Sequence, residues 1–240
     1  MKSRLFPKSE RGTADYGWLQ ANFSFSFGNY YNPEVVQFGM LRVLNDDTIA
    51  GGMGFGTHPH DNMEIVTIPL EGGLTHRDSM GNQATVRFGE VQVMSAGTGI
   101  EHSEMNASQT ERAKTLQIWL FPEMENITPR YDQKGFDLQN KRNSFVPVVC
   151  PHNKPEGEAL WIYQQAYFHL GVFDAGQVAH YDVKIPGNGI YLFLIEGELE
   201  IGGQMVMERD AFGAIELEGF DAEVKQPSKI LIIEVPMKHN

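Results

Sequence analysis

The chain has very little cysteine and no long apolar run, and each shortage excludes a class of protein. Cys150 is the single cysteine among 240 residues, so neither an intramolecular disulfide nor a cysteine-rich zinc module is available. A reducing compartment is the natural expectation. Residues 1–8 carry charges and a proline but no apolar stretch of signal-peptide length, and no later stretch approaches a membrane span. We therefore expect a soluble, cytoplasmic protein without a membrane segment.

Basic residues are also scarce. The 19 lysines and arginines face 31 acidic residues, which gives a net charge of −12. No stripe of basic side chains with interleaved aromatics occurs, and an acidic surface repels a phosphate backbone at long range. The sequence therefore argues against nucleic acid as a direct ligand. The charge balance itself indicates only solubility.

Short apolar or alternating segments separated by turn residues run through the whole chain, and helical periodicity is scarce. Many short strands with few helices are typical of a sandwich or barrel. In one segment Phe23, Phe25 and Phe27 alternate with small polar residues, which predicts a half-buried strand. The polar residues 122–143 show no strand period, and we interpret them as a linker or short helical crossing between two halves.

Two clusters of metal-binding side chains lie in the first half of the chain. His58 and His60 form an H-x-H pair, and His102 and Glu104 form an H-x-E pair. Successive residues of a strand point to opposite faces, so each pair directs both side chains to one side. Turn-rich residues between the clusters can fold the segment back and bring the pairs together. The spacing predicts one metal held by three imidazoles and a carboxylate, with one or two positions left open for a substrate.

Other side chains of the metal-binding or nucleophilic types have weaker signals. Glu64 lies on the same face as His60 if the strand is regular, where it could orient a ligand or join the metal; we prefer a residue that orients a ligand or a structural one. His76 and Asp78 also alternate, and we predict a pair on a surface hairpin. Cys150 is predicted to be a packed core thiol. The remaining histidines have no partner at ligand spacing and are interpreted as structural: His152, His169, His180 and His239.

The second half carries a weak copy of the first. Residues 68–72 resemble residues 192–197, because each segment is an apolar run that ends in Glu-Gly. Counting back from the second Glu-Gly places Val183 and Ile185 where the first half has its H-x-H pair. If the halves are duplicates, only the first half binds a metal.

The motifs around the two clusters resemble those of the pirin family, within the cupin superfamily. They read G-F-G-T-H-P-H, L-E-G-G, H-R-D-S-M-G-N and M-S-A-G-T-G-I-E-H-S-E, and the similarity covers nearly all of the first half. The resemblance implies an all-β fold of two tandem cupin barrels, of the jelly-roll or double-stranded β-helix type, with few short helices. It places a metal-binding barrel in residues 1–135 and a barrel without metal ligands in residues 136–240.

The same resemblance implies the metal and its chemistry. Pirins hold one mononuclear divalent metal, usually iron, with three histidines and a glutamate, and these roles fall on His58, His60, His102 and Glu104. By ligand type the set also accepts Mn, Ni, Cu or Zn. Bacterial pirins resemble quercetin 2,3-dioxygenases, which cleave flavonols with O2 and release carbon monoxide. In that reaction Glu104 would be the base that takes the proton of the substrate's 3-hydroxyl.

Two other functions are compatible with these residues. Eukaryotic pirins resemble iron-dependent cofactors of transcription regulators, so a redox-sensing module that binds a protein partner is the alternative. A metal-dependent isomerase, or a dioxygenase that acts on another enol, is a third reading, because cupin barrels host many reactions. We predict the dioxygenase, acting as a monomer on a flavonol or another small aromatic enol.

Overall fold

The structure, a computed structural model, describes residues 1–238, so that the prediction for His239 lies outside the described residues. Nearly all regular structure is β, with two short 3₁₀ helices at Lys8–Glu10 and Gln139–Lys141. Within the described part of the chain, no helix has the length and apolar character that crossing a membrane requires. The prediction of an all-β fold with few short helices is confirmed.

Twenty strands build the described chain. The strands up to residue 135 are β1 (Lys2–Phe6), β2 (Gly12–Asp15), β3 (Leu19–Phe23), β4 (Leu41–Ile49), β5 (Gly54–His60), β6 (Glu64–Glu71), β7 (Gly73–Asp78), β8 (Gln83–Arg87), β9 (Glu90–Ser95), β10 (Ile100–Asn106), β11 (Ala113–Leu120) and β12 (Arg130–Gly135). The later strands are β13 (Phe145–Pro151), β14 (Leu160–Ile162), β15 (Tyr167–Phe173), β16 (Val178–Asp182), β17 (Gly189–Ile201), β18 (Gln204–Met207), β19 (Ala211–Ile215) and β20 (Gly219–Val235).

The first barrel consists of two facing sheets. One has the strand order β12-β9-β6-β11-β4-β3-β2, and the other has the order β5-β10-β7-β8. Apolar side chains from both sheets meet inside, such as Ile49 of the first and Leu74 of the second. Gly54 lets β5 approach β10 closely, since a Cβ at this position would lie 2.3 Å from the backbone oxygen of Glu104. The four-stranded sheet thereby brings both predicted metal-binding pairs onto neighbouring strands.

The second barrel is one large sheet that curls on itself. Its central strands β17 and β20 are 13 and 17 residues long, and register shifts interrupt their pairing. Such irregularities bend strands and let a single sheet close around a core. The interior is apolar and includes Leu192, Leu199 and Ile232. The amino-terminal strand β1 pairs with β19, so the start of the chain is built into this second barrel.

An extensive apolar core joins the two barrels. Alternation along β6 sends Ile65 into the first barrel, whereas Val66 belongs to an apolar cluster that also contains Tyr191 and Leu231 of the second. The two barrels therefore share buried surface, and β1 connects them further. The domain boundary after residue 135 stays a prediction.

Two local predictions need correction. The polar residues 122–143 do join the barrels and include the 3₁₀ helix Gln139–Lys141, but they also contain strand β12, which pairs with β9 of the first barrel; its side chains are half-buried, so it has no clean apolar alternation. The alternating phenylalanines do not form one strand, because β3 ends at Phe23. Phe25 instead enters the core between the barrels and is only 1% exposed.

Candidate metal centre

Three histidines converge where β5 and β10 pair. The antiparallel register sets His102 opposite His58 and Ile100 opposite His60, and the H-x-H spacing turns both β5 rings to the same face. The Nε2 atoms of His58 and His102 are 3.0 Å apart. One ring nitrogen from each of the three histidines lies within 4.8 Å of the other two. The structure thus brings together the three histidines that the sequence singled out.

The geometry and charge state of these rings fit a shared cation. Nitrogens bound to one ion at about 2.0–2.1 Å lie roughly 3 Å apart when the bonds are perpendicular, which agrees with the His58–His102 separation. Burial, and then the neighbouring His58, lower the pKa of His60 to about 4 and that of His102 to about 3. Both imidazoles are therefore neutral at neutral pH and keep the lone pair that a metal needs.

Glu104 lies beside this cluster, on β10, but is not within the group of mutually close donor atoms. The pairing of β10 with β5 shifts its register between His102 and Glu104. The Glu104 carboxyl is buried, and its Oε2 accepts a hydrogen bond of 2.7 Å from Nε2 of Gln117. Its Oε1 has no hydrogen-bond partner among the described residues. Burial raises the pKa of Glu104, so the carboxyl binds a proton more readily than a free glutamate.

His76 and Asp78 are not on the surface, and the prediction of a surface hairpin pair was wrong. The side chains of both are fully buried, and His76 Nε2 lies 3.0 Å from Asp78 Oδ2. The cause is the pairing of β7 with β10, which sets Asp78 opposite His102 and His76 opposite Glu104. The sequence did carry a signal, since H-x-D has the same period as the two pairs that were recognised.

The hydrogen bonds that link Asp78, His76 and His102 favour one placement of the ring hydrogens. A carboxylate only accepts, so Nε2 of His76 carries a hydrogen and donates to Asp78; in a neutral His76 the other nitrogen, Nδ1, then accepts. Nδ1 of His102 is 3.4 Å from that atom and becomes the donor. This assignment leaves the lone pair of His102 on Nε2, the nitrogen that faces His58. The order of hydrogen bonds thus prepares His102 to bind a metal.

A polar network supports the same two strands from inside the barrel. Tyr131 stacks on the His76 ring, with centroids 4.4 Å apart, and its hydroxyl lies 3.2 Å from Gln92. Gln92 leads through Thr67 to Gln117, which holds Glu104. This network therefore fixes the side chains of His102 and Glu104 from inside the barrel. Sequence reasoning missed this network because its members come from four different strands.

Glu64 does not extend the histidine strand. β5 ends at His60, Asn62 turns the chain with a positive φ of 42°, and Glu64 begins β6. Its carboxyl accepts a hydrogen bond of 2.7 Å from Ser95, and burial raises its pKa to about 7 despite that bond and the charge of Arg130. Glu64 is therefore a structural residue and does not orient a metal ligand.

The other residues weighed from the sequence lie away from the histidine cluster. Cys150 is 1% exposed, which confirms a core thiol. His169 is buried in the second barrel beside Glu156, whereas His180 is exposed between Asp182 and Asp221. His152 packs against Tyr163.

A cavity of about 390 Å³ opens next to the histidine cluster. His58 and Glu104 form part of its wall, and Trp18, Phe27 and Phe55 supply aromatic surface. This size and lining are typical of small-molecule sites. The site therefore combines convergent metal ligands with room for a flat, largely apolar molecule.

A histidine cluster inside the first of two β-barrels, with an aromatic cavity beside it, defines a metal-binding protein of the bicupin class. The sequence pattern of the Pirin family matches residues 6–120, and that of the quercetinase C-terminal cupin domain matches residues 148–235. The chain belongs to the pirin family, as its motifs predicted.

Similar proteins cover nearly the whole chain. Quercetin 2,3-dioxygenase of Escherichia coli (strain K12) is 38% identical over 229 residues, which span 95% of this chain and 96% of that protein. The crystal structure of YhhW from Escherichia coli superposes with a TM-score of 0.93 at 37% identity, covering 100% of both chains. The same bacterial pirin in complex with nickel(II) has a TM-score of 0.91 at 36% identity and covers 98% of this chain and 99% of its own. Both the two-barrel fold and metal binding in this family are thereby supported.

Proposed function

We propose that this protein is a metal-dependent dioxygenase of the pirin type that opens the heterocyclic ring of flavonols such as quercetin with O2. The observation that carries the proposal is that Glu104 and His58, one of the three clustered histidines, lie on the wall of one aromatic cavity. A flavonol is flat and aromatic, and it presents an acidic hydroxyl beside a carbonyl. The name of the Escherichia coli relative, quercetin 2,3-dioxygenase, points to the same substrate class.

The metal in this proposal is held by His58, His60, His102 and Glu104, and Fe(II) is the ion we favour. Three imidazoles and one carboxylate are borderline ligands that also suit Mn, Ni, Cu and Zn. Glu104 completes the set through Oε1, which has no partner among the described residues. When bound, such an ion supplies a Lewis acid and a redox partner for the reaction of an electron-rich substrate with O2.

The chain's own residues have two tasks in the reaction. Glu104 is the base that takes the proton of the substrate's 3-hydroxyl. Gln117 holds Oε2 meanwhile, so the carboxyl keeps its direction. Phe27 and Phe55 exclude water from the cavity, which prevents the enolate from being reprotonated by solvent.

The variant Glu104→Gln tests this role. It should retain much of the metal, since the three histidines remain, but turnover of quercetin should fall at least 100-fold because an amide cannot accept the proton. Metal content by elemental analysis and a quercetin assay give both quantities. Glu101→Gln is the matched control, because Glu101 lies on the same strand with an exposed side chain.

Full activity of Glu104→Gln would remove the proton-transfer role. Absence of turnover by the metal-loaded wild type, together with redox-dependent capture of a protein partner, would favour the redox-sensing module instead. We propose further that the protein acts as a cytoplasmic monomer. Cell fractionation and light scattering of the purified protein test these two statements.

A further inference from the structure

Strand β4 sends two polar side chains into the cavity beside the histidine cluster. Asn45 and Asp47 are separated by one residue, so both face inward, and each is only 4% exposed. Asp46, between them, faces the other way and contacts Arg11 and Arg209. The alternation of β4 thus directs the carboxyl of Asp46 to the contact between the barrels and that of Asp47 to the cavity.

Neither inward side chain is fully hydrogen-bonded. Within residues 1–238, Oδ1 of Asn45 and Oδ1 of Asp47 have no hydrogen-bond partner. Buried polar atoms in proteins are nearly always paired, and leaving one unpaired costs stability. Two unpaired acceptors side by side on the wall of a cavity are therefore expected to bind something that enters it.

Strand β11, which pairs with β4, adds a donor to the same cavity. Nε1 of Trp119 is buried and has no partner among the described residues, and the Trp119 ring packs edge-on against His60 at 4.9 Å. The remaining lining is largely aromatic. A ligand that satisfies this cavity has a flat ring system with several hydroxyl groups and an acceptor such as a carbonyl.

We infer that Asn45 and Asp47 are specificity residues that bind hydroxyl groups of the substrate, so that the site selects polyhydroxylated flavonols over flavonols with the 3-hydroxyl alone. The inference rests on the proposed function, because it concerns the same cavity. Neither Asn45 nor Asp47 takes part in the chemistry of ring opening.

The charge state of Asp47 agrees with a neutral polyhydroxylated ligand. Burial, and then the neighbouring carboxylates Asp46 and Glu104, raise the pKa of Asp47 to about 8. A carboxyl that is largely protonated at neutral pH both donates and accepts hydrogen bonds, and it needs no cation as partner. Phenolic hydroxyl groups also donate and accept, which makes them complementary to it.

Binding of two flavonols to the nickel-loaded protein under anaerobic conditions tests the inference. Quercetin carries several hydroxyl groups, whereas 3-hydroxyflavone has only the one expected at the metal. Trp18 and Trp119 line the cavity, so quenching of tryptophan fluorescence, corrected for ligand absorption, reports binding. The wild type should bind quercetin at least 10-fold more tightly than 3-hydroxyflavone.

The variant Asp47→Leu should reduce this preference to less than 3-fold, mainly by weakening quercetin binding. Asp47→Asn keeps an acceptor and should retain most of the preference. Asn45→Leu removes the neighbouring acceptor and should lower the preference independently, which covers the case in which Asp47→Leu does not fold. Asp46→Asn is the control on the same strand and should leave the preference unchanged, although it weakens the contact between the barrels.

Three results would overturn the inference: a wild type that binds both flavonols alike, a wild type that binds neither, or folded leucine variants that keep the full preference. A turnover assay in air distinguishes failure of this inference from failure of the proposed function. Turnover without preference contradicts the inference alone. Preference in binding that depends on Asp47, without turnover of any flavonol, supports the inference and contradicts the dioxygenase.

Discussion

Each barrel buries a glutamate on a central strand, and the two carboxyls have opposite surroundings. Glu234 on β20 accepts hydrogen bonds from the backbone N–H groups of Lys184 and Ile185, from Asn188 and from the hydroxyl of Tyr181. Glu104 on β10 has one such bond, from Gln117, and one oxygen without a partner among the described residues.

The histidines of the two barrels differ in their arrangement. In the first barrel three rings converge beside a cavity. In the second, His169 stands between Glu156 and Tyr181 and meets no other histidine within hydrogen-bond distance in the described chain. Buried polar groups that satisfy one another hold a fold together, whereas buried groups with unused capacity are available to a ligand. The comparison teaches that shared architecture does not carry the site; three imidazoles that converge beside a cavity lined by unpaired polar atoms do.

The largest expected difference between the barrels concerns metal binding. His102→Ala should weaken nickel(II) binding by at least 1,000-fold, because two histidines on one strand cannot replace the three-ring cluster. His169→Ala, the matched change in the second barrel, should leave one metal per chain. Isothermal titration calorimetry measures both affinities.

A His169→Ala variant that loses its metal, or a His102→Ala variant that keeps wild-type affinity, would break the comparison. Both variants need a check of thermal unfolding, since each removes a buried ring.

The next effect concerns stability of the metal-free protein. Glu234→Gln should cost about 2–4 kcal/mol in the free energy of unfolding, because one side of the amide directs N–H groups at the donors that Glu234 now accepts. Glu104→Gln should change stability by less than about 1 kcal/mol, because it replaces a poorly satisfied buried carboxyl. Urea unfolding in the presence of a chelator gives both values, and equal losses would contradict the assigned roles.

A smaller effect is expected from the two H-x-D pairs. His76 and Asp78 are buried beneath His102, whereas His180 and Asp182 form a pair of 3.1 Å on the surface of the second barrel. Asp78→Asn should weaken nickel binding by about 10- to 100-fold, because His76 loses the acceptor that fixes its hydrogens and those of His102.

Asp182→Asn supplies the control and should leave metal affinity unchanged. Because Asp78 also accepts from the backbone of Met80 and Asn82, the unfolding temperature of metal-free Asp78→Asn must be measured beside its affinity. A folded Asp78→Asn protein with wild-type affinity would show that the buried pair has only a structural role.

The smallest effect concerns Glu64, at the start of β6. Its pKa is raised by burial from 4.5 to about 7, so the folded state binds a proton more tightly than the unfolded chain. The stability that this group contributes is fully present below about pH 4.5 and is lost as the pH rises through about 7. Glu64→Gln should remove this loss, so that between pH 5 and pH 8 its free energy of unfolding should improve by roughly 2 kcal/mol relative to the wild type.

Urea unfolding of the metal-free wild type and variant at both pH values measures the difference. Other buried carboxyls, such as Asp47, titrate equally in both proteins and cancel. A variant with the same pH dependence as the wild type would contradict the assigned pKa of Glu64.

Local periodicity let the sequence predict the all-β fold, the pairing of His58 with His60 and the candidate set of three histidines. Those features depend on the alternation of side chains along single strands, which needs no knowledge of the partner strand. Burial cannot be predicted from the alternation along a single strand. Whether His76 and Asp78 face solvent depends on the pairing of β7 with β10, and whether Glu64 continues β5 depends on a turn at Asn62.

The sequence by itself thus determined the strand period, the donor types and the family. Only the tertiary structure decided that a buried Asp78–His76 pair lies behind His102, that Glu104 keeps a free oxygen, and that Asn45 and Asp47 share the cavity. The physical reason is that hydrogen bonding and desolvation are properties of a site assembled from distant strands, and such a site exists only after the chain has folded.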